Sequence, residues 1–172
     1  MDWTLRPARD ADGTFLLQVF ASTRADELAL TGWSVPQCEA FVRQQAAAQA
    51  AHYLAHWPDA EHAVITVHED GVSRDVGRLW LHRRTDAVHV LDIALLPAWR
   101  GQGLGARVLR QLMVDAAADS RALTIYVEAG NPARRLYDRL GFGPVGEPEG
   151  VHQFMRWRHA DTPSLESCDE QA

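Results

Sequence analysis

The chain is expected to adopt a mixed α/β fold, and three observations predict it. Apolar residues recur at helical spacing near the N-terminus and again after residue 103, and alternating β-branched runs fill the stretch from His62 to Leu96. The last of those runs continues through a glycine-rich loop into a helix and then a further strand. Strands joined through a helix imply at least one parallel pair, whereas the short DG and TD turns between the earlier runs fit three antiparallel strands.

The elements follow in order. Trp3 to Arg6 is a short apolar run with strand character. Asp10 or Asp12 can cap a helix carrying Phe15, Leu16, Val19 and Phe20, and Thr31 and Gly32 mark its break. Ser34 and Gln37 make a capping box around Pro36, opening an alanine-rich helix to about His56 whose stripe includes Phe41, Ala48 and Tyr53. Strands are expected at His62 to His68, Val76 to Arg83 and Val88 to Leu96. A helix from about Gly103 to Ser120 lines up Leu104, Val108, Leu109, Leu112, Met113 and Ala116. A strand at Leu123 to Val127, a short helix at Pro132 to Leu140 and a strand at Val151 to Trp157 complete the chain.

Composition bounds the function. At 172 residues, 47% hydrophobic and 23% charged, the chain suits one domain over residues 1–160 with its own core. Residues 161–172, DTPSLESCDEQA, read as a disordered acidic tail. The net charge is −6, and the tail's four acids leave the body near neutrality, which gives no footprint for nucleic acid or an anionic membrane. No apolar run approaches the roughly 18 residues of a membrane span, and MDWTLRPARDAD resembles neither a signal nor a transit peptide, so a cytoplasmic location is expected. Cys38 and Cys168 are too few for a disulfide framework or a thiolate metal site. All seventeen basic residues are arginine. The absence of lysine excludes a Walker-type phosphate loop and lysine-nucleophile chemistry, so an anionic ligand must be met by arginine and backbone N–H groups.

The most informative stretch is VHVLDIALLPAWRGQGLGA, Val88 to Ala106. A strand apolar on both faces is a central strand. Gly101, Gly103 and Gly105 remove side chains that would block a ligand, and the N–H groups opening the next helix are donors for phosphate. Arg100 adds a cation at the loop's mouth. Gly101, Gly103 and Ala106 also satisfy G-x-G-x-x-A, with Glu128 ending the next strand, as in a dinucleotide fingerprint. Pro97 to Arg100 separate the strand from the glycines where that fingerprint needs a tight turn, and too few residues follow Glu128 to build the remaining strands.

Arg100-Gly101-Gln102-Gly103-Leu104-Gly105 matches Q/R-x-x-G-x-G/A, the acyl-CoA signature of the GNAT superfamily of acetyl-CoA-dependent N-acetyltransferases. Asn131-Pro132-Ala133, Leu136-Tyr137 and Leu140-Gly141-Phe142 resemble the family's N-x-x-A-x-x-L-Y-x-x-x-G-F segment. The resemblance covers residues 3 to 157 in element order. It implies a central, mostly antiparallel, twisted sheet of six to seven strands with a parallel pair in the middle, flanked by about four helices. It also implies acetyl-CoA as co-substrate, with Ile93, Ala94 and Leu95 pairing with the pantetheine amides and residues 100 to 106 cradling the pyrophosphate. Asn131 is expected to contact the cofactor as well as to cap its helix, and Tyr137 to be the general acid.

The expected reaction is direct transfer of the acetyl group to a primary amine of a small molecule or peptide through a tetrahedral intermediate. A phenol suits the departing thiolate, a stronger base than a carboxylate. A backbone N–H near Leu95 is the expected oxyanion donor. For the base, three residues stand open: Asp92 in an apolar strand, Glu128 at the end of the neighbouring strand, and His89, whose ordinary pKa lies near neutrality. Each also suits structural pairing. His52 and His56 share a helix face without the acid of a metalloprotease motif, and no metal is expected. Cys38 in a helix's first turn has no partner set for nucleophilic catalysis. Trp33, Tyr53, Trp57 and Trp99 are candidates for the acceptor side. The alternatives are a non-catalytic acyl-CoA-binding module and, behind it, a dinucleotide-binding protein. A monomer or homodimer is expected, with no nucleic-acid or membrane partner.

Overall fold

The computed structural model describes residues 2–159. The acidic tail expected at 161–172 lies outside the described residues. The elements are β1 (Asp2–Pro7), α1 (Gly13–Ala29), α2 (Val35–His56), β2 (Glu61–Glu69), β3 (Val72–Arg83), β4 (Ala87–Leu95), α3 (Leu104–Ala118), β5 (Ala122–Glu128), α4 (Arg134–Arg139), β6 (Gly143–Pro144) and β7 (His152–Trp157). The strands follow the order β1-β2-β3-β4-β5-β7-β6 in one mostly antiparallel sheet, with β4 and β5, joined through α3, as the parallel pair. This is the mixed α/β class expected from the sequence. Among the described residues no helix is long and apolar enough to cross a membrane.

The described chain divides into two compact units. The first comprises the residues up to Arg83 and Val90–Gly105; the second comprises Arg84–His89 and the residues from Ala106 onward. A single domain was the expectation; β4 and α3 each contribute to both units.

In the first unit β1 runs antiparallel to β2, with Leu5 opposite Ile65, and β2 turns at Asp70-Gly71 into an antiparallel β3. That strand begins at Val72, four residues earlier than its apolar pattern suggests, because Val72 to Asp75 pair with Glu69 back to Thr66. Pairing jumps from Ile65 opposite Gly77 to Thr66 opposite Asp75, which leaves Val76 as a bulge. Its carbonyl accepts the Leu96 N–H at 2.8 Å. The core here includes Val19, Phe20, Val64, Ile65, Val67, Val76 and Leu79. Each such side chain contributes about 1.5–3 kcal/mol of burial free energy.

Helix starts follow local chemistry. At α2 the Gln37 side chain accepts the Ser34 N–H at 2.9 Å, as the capping box requires. Asp12 precedes α1, but its carboxylate accepts the Arg9 N–H and the Arg6 guanidinium, both at 2.8 Å, instead of capping the helix. The first turn is thus tied back to β1.

In the second unit β5 lies against β7 and the opening residues of β4. The Ala122 N–H donates to the Asp86 carbonyl, and Ile125 faces Met155 across the pair. Val108, Leu109, Leu112 and Ala116 of α3 are buried, as are Leu123, Ile125 and Val127 of β5. The two-residue β6 is too short to leave a sequence pattern.

Candidate active site

In the first unit β4 delivers Ile93, Ala94 and Leu95 to a single 3-10 turn at Pro97–Trp99, from which the glycine loop enters α3. Gly101 and Gly103 have φ of 72° and 81°, a left-handed backbone that side chains disfavour, and a Cβ at either would meet nothing within 4 Å. The loop is therefore shaped by glycine and open on its glycine faces. Leu104 is buried and anchors the start of α3, whose first N–H groups have no intrahelical acceptor.

Arg100 and Gln102 do not project from this loop as free ligands. The Arg100 guanidinium donates to the Leu95 carbonyl at 2.8 Å and to the carbonyl and Oγ of Ser22 at 3.1 and 2.7 Å. The Gln102 amide donates to the Ala98 carbonyl. Both side chains hold the loop's shape, so in this conformation the groups it offers an anion are backbone N–H groups. The Leu95 side chain lies close to Gly77. A Cβ on Gly77 of β3 would overlap the Ala94 carbonyl and stand 2.6 Å from Leu95 Cδ2, and one on Gly105 would stand 3.8 Å from Leu95 Cδ1. Gly77 was not singled out by the sequence, where a lone glycine within a strand run gives no indication of which backbone approaches it.

Asp92 has a partner that the sequence did not identify. Its carboxylate accepts from Arg78 Nε at 2.7 Å; Arg78 Nη2 donates to Gln49 Oε1 at 3.0 Å, and the guanidinium lies over the Phe20 ring at 5.1 Å. Burial pushes the Asp92 carboxyl up, with the Arg78 charge opposing it. The Tyr53 phenol donates to the Leu91 carbonyl at 3.1 Å, and burial, followed by the Asp92 charge, raises its pKa. This is a buried polar network tying α1 and α2 to β3 and β4, so Asp92 has the structural pairing allowed for it as well as its candidacy as a base.

In the second unit His89 is buried, with Nδ1 2.8 Å from Thr124 Oγ1. Glu128 is exposed and pairs with His152 at 3.5 Å. Ala106 lies in the first turn of α3. Tyr137 is buried on α4, its ring 5.7 Å from Phe142. Asn131 Oδ1 accepts the Ala133 N–H at 2.9 Å in an Asx turn ahead of α4, whose N-cap is Ala133 without a side-chain cap bond, so the helix cap expected of Asn131 is not made. Ala133, Leu136 and Tyr137 keep the spacing of the N-x-x-A-x-x-L-Y pattern, but Asn131 stands two residues before Ala133 where the pattern has three, and Gly130 fills the pattern's asparagine position. Regular helix then begins only at Arg134, two residues later than expected.

The other candidates are placed as follows. The His52 and His56 ring centroids lie 4.1 Å apart with their planes tilted by 39°, and among the described residues no group of three or more His, Cys, Asp or Glu could hold a metal ion. Tyr53, Trp57, Trp80 and His82 continue this aromatic cluster, while Trp33 packs edge-on against Phe41. Cys38 is a free thiol near the Trp33 carbonyl.

A family model described as the acetyltransferase (GNAT) domain matches residues 59–144, half of the chain. A Bacillus subtilis (strain 168) protein, provisionally named a ribosomal protein bS18-alanine N-acetyltransferase, is 32% identical over 97 residues, 55% of this chain and 62% of its own length. The match thus spans less than two thirds of that relative. Among solved structures, a PaiA N-acetyltransferase from Thermoplasma acidophilum in complex with coenzyme A is similar, with a TM-score of 0.65 and 16% identity over 92% of this chain and all of that one. An acetyltransferase from Thermus thermophilus aligns with a TM-score of 0.65 and 20% identity, over 92% of this chain and 98% of its own. At these identities the likeness is one of fold.

Proposed function

The chain belongs to the GNAT family of N-acetyltransferases, and on that premise we propose that it transfers the acetyl group of acetyl-CoA directly to a primary amine of a small molecule or peptide. The observation that carries this reading is the glycine loop. Positive φ at Gly101 and Gly103, open space beside both, and the N–H groups opening α3 make a backbone cradle that suits a pyrophosphate. Bound acetyl-CoA supplies the thioester carbon that the amine attacks.

The Leu95 N–H, on a residue whose side chain packs close to Gly77, is the oxyanion donor, and Ile93 and Ala94 offer backbone groups to pantetheine. Arg100 fixes the loop's entry by its bonds to Leu95 and Ser22. Tyr137 donates its phenolic proton to the departing thiolate, while Asn131 shapes the turn leading to α4. The acceptor's proton leaves through water or one of Asp92, Glu128 and His89. Of these, Asp92 is tied to Arg78 and His89 to Thr124.

Thermal unfolding with acetyl-CoA, free CoA and NAD in parallel tests the reading. At 100 times its dissociation constant a ligand adds about 2.7 kcal/mol, or roughly 5 to 10 °C at this chain length. A shift with both CoA species and none with NAD is expected. A shift with NAD alone would replace the acyl-CoA assignment with a dinucleotide one.

A further inference from the structure

We propose that Arg100 serves the acyl-transfer step, as the residue that positions the oxyanion donor at Leu95, and that its guanidinium is not a ligand of the pyrophosphate; this deepens the acyl-transfer reading above and rests on it.

The backbone on either side of Leu95 fixes which way that residue's polar groups point. The Ala94 carbonyl oxygen lies against Gly77 of β3, where a Cβ would overlap it. The Leu96 N–H donates to the Val76 carbonyl, also on β3, at 2.8 Å. Across a trans peptide the C=O and the following N–H point in opposite directions. The Leu95 N–H and the Leu95 C=O therefore both point away from β3, side by side, as the paired groups of one strand residue do.

Arg100 takes the carbonyl of that pair. Its Nε donates to the Leu95 carbonyl at 2.8 Å, while Nη2 donates to the Ser22 carbonyl at 3.1 Å and to Ser22 Oγ at 2.7 Å. Ser22 Oγ in turn donates to the carbonyl of Val19 at 2.7 Å, and Val19 is buried in the core of the first unit. The guanidinium is thus pinned between the end of β4 and a core-anchored turn of α1. To reach an anion it would give up three hydrogen bonds, whereas Gly101 and Gly103 already shape a loop that offers N–H groups.

The chemistry profits from this placement. When the amine nitrogen bonds to the thioester carbon, the carbonyl π pair moves onto oxygen. As the double bond re-forms the C–S bond breaks, its pair leaves on sulfur, and the proton given up by the amine is balanced by the one that completes the CoA thiol. Charge sits on the oxygen only between these events, so a donor fixed beforehand stabilises it without reorganising. Two peptide planes meet at Leu95. Gly77 admits the first, and Arg100 holds the second while placing a positive charge on the side from which the N–H donates.

Infrared difference spectra of bound acetyl-CoA labelled with carbon-13 at the thioester carbonyl, with calorimetry on the same proteins, test this. In wild type the carbonyl band should move to lower wavenumber on binding. Arg100→Leu should return most of that shift while keeping the dissociation constant for acetyl-CoA within about threefold, and Arg100→Gln, which keeps an N–H donor without the charge, should recover part of it. Ser22→Ala should give a smaller loss in the same direction. With an amine that wild type acetylates, Arg100→Leu should lower kcat at least about tenfold with little change in KM for acetyl-CoA. A loss of acetyl-CoA affinity of tenfold or more in Arg100→Leu would make Arg100 a cofactor ligand and overturn the proposal. So would an unchanged band in that variant, or a wild-type band that does not move on binding. Failure of wild type to bind acetyl-CoA would instead sink the acyl-transfer reading itself, and this inference with it.

Discussion

At their candidate sites the two units expose different groups. In the first unit Arg100 is turned onto Leu95 and Ser22, Arg78 onto Asp92 and Gln49, and Arg6 onto Asp12 and Asp75. What remains on offer at the loop is backbone, shaped by Gly101 and Gly103. In the second unit the candidates are side chains, with Glu128 exposed beside His152 and Tyr137 on α4. The contrast suggests a division of labour. An anion can be met by N–H groups whose positions the backbone fixes, and a proton transfer needs a titrating group that only side chains supply.

The largest expected effect breaks the backbone half of that division. Gly103→Val puts a β-branched residue at a φ of 81°, where it is strongly disfavoured, while its side chain meets no neighbour. The loop should rearrange rather than the core, and acetyl-CoA affinity should fall at least about 100-fold in calorimetry, with the far-ultraviolet spectrum retained. Unchanged affinity would show that the loop is only a connection.

A smaller effect sharpens the side-chain half. Tyr137→Phe keeps the ring against Phe142 and deletes only the hydroxyl. Turnover should drop at least about tenfold while the dissociation constant for acetyl-CoA stays within about twofold. Equal turnover at saturating substrate would remove Tyr137 from the proton transfer.

The same contrast explains what could be read from the sequence. Gly101 and Gly103 leave a local trace, because a left-handed backbone at alternate positions demands glycine there, and the capping box at Ser34 and Gln37 is equally local. The need of Asp92 for a partner was legible from its apolar strand, but the partner, Arg78, lies fourteen residues away on another strand. Arg100 was legible as a cation and not as a pin, since sequence does not give a side chain's direction. Ser22 and the Val76 bulge carried no signal at all. They reach Arg100 and Leu96 through the placing of α1 and β3, which has no sequence signature.

The smallest effect tests whether the inward-turned groups of the first unit govern acid stability. His62 stacks on Trp80 with centroids 4.0 Å apart and planes 14° apart, and its Nε2 is buried without a hydrogen-bond partner. Burial, then the Arg78 charge, lowers its pKa to about 4. A folded pKa below the unfolded value of about 6.5 means the fold binds this proton less readily than the open chain. Its contribution is therefore complete above pH 6.5, declines as pH falls, and is gone below pH 4. Because the ring is partly exposed, the linkage is discounted for solvent screening, to about 1 kcal/mol between pH 7.5 and pH 5, or roughly 2 to 4 °C in Tm. His62→Phe keeps an aromatic ring against Trp80 and removes the titration, so its Tm should fall less over the same interval by that amount. Parallel curves for wild type and His62→Phe would move the acid sensitivity elsewhere and weaken the assignment of structural work to the first unit's polar groups.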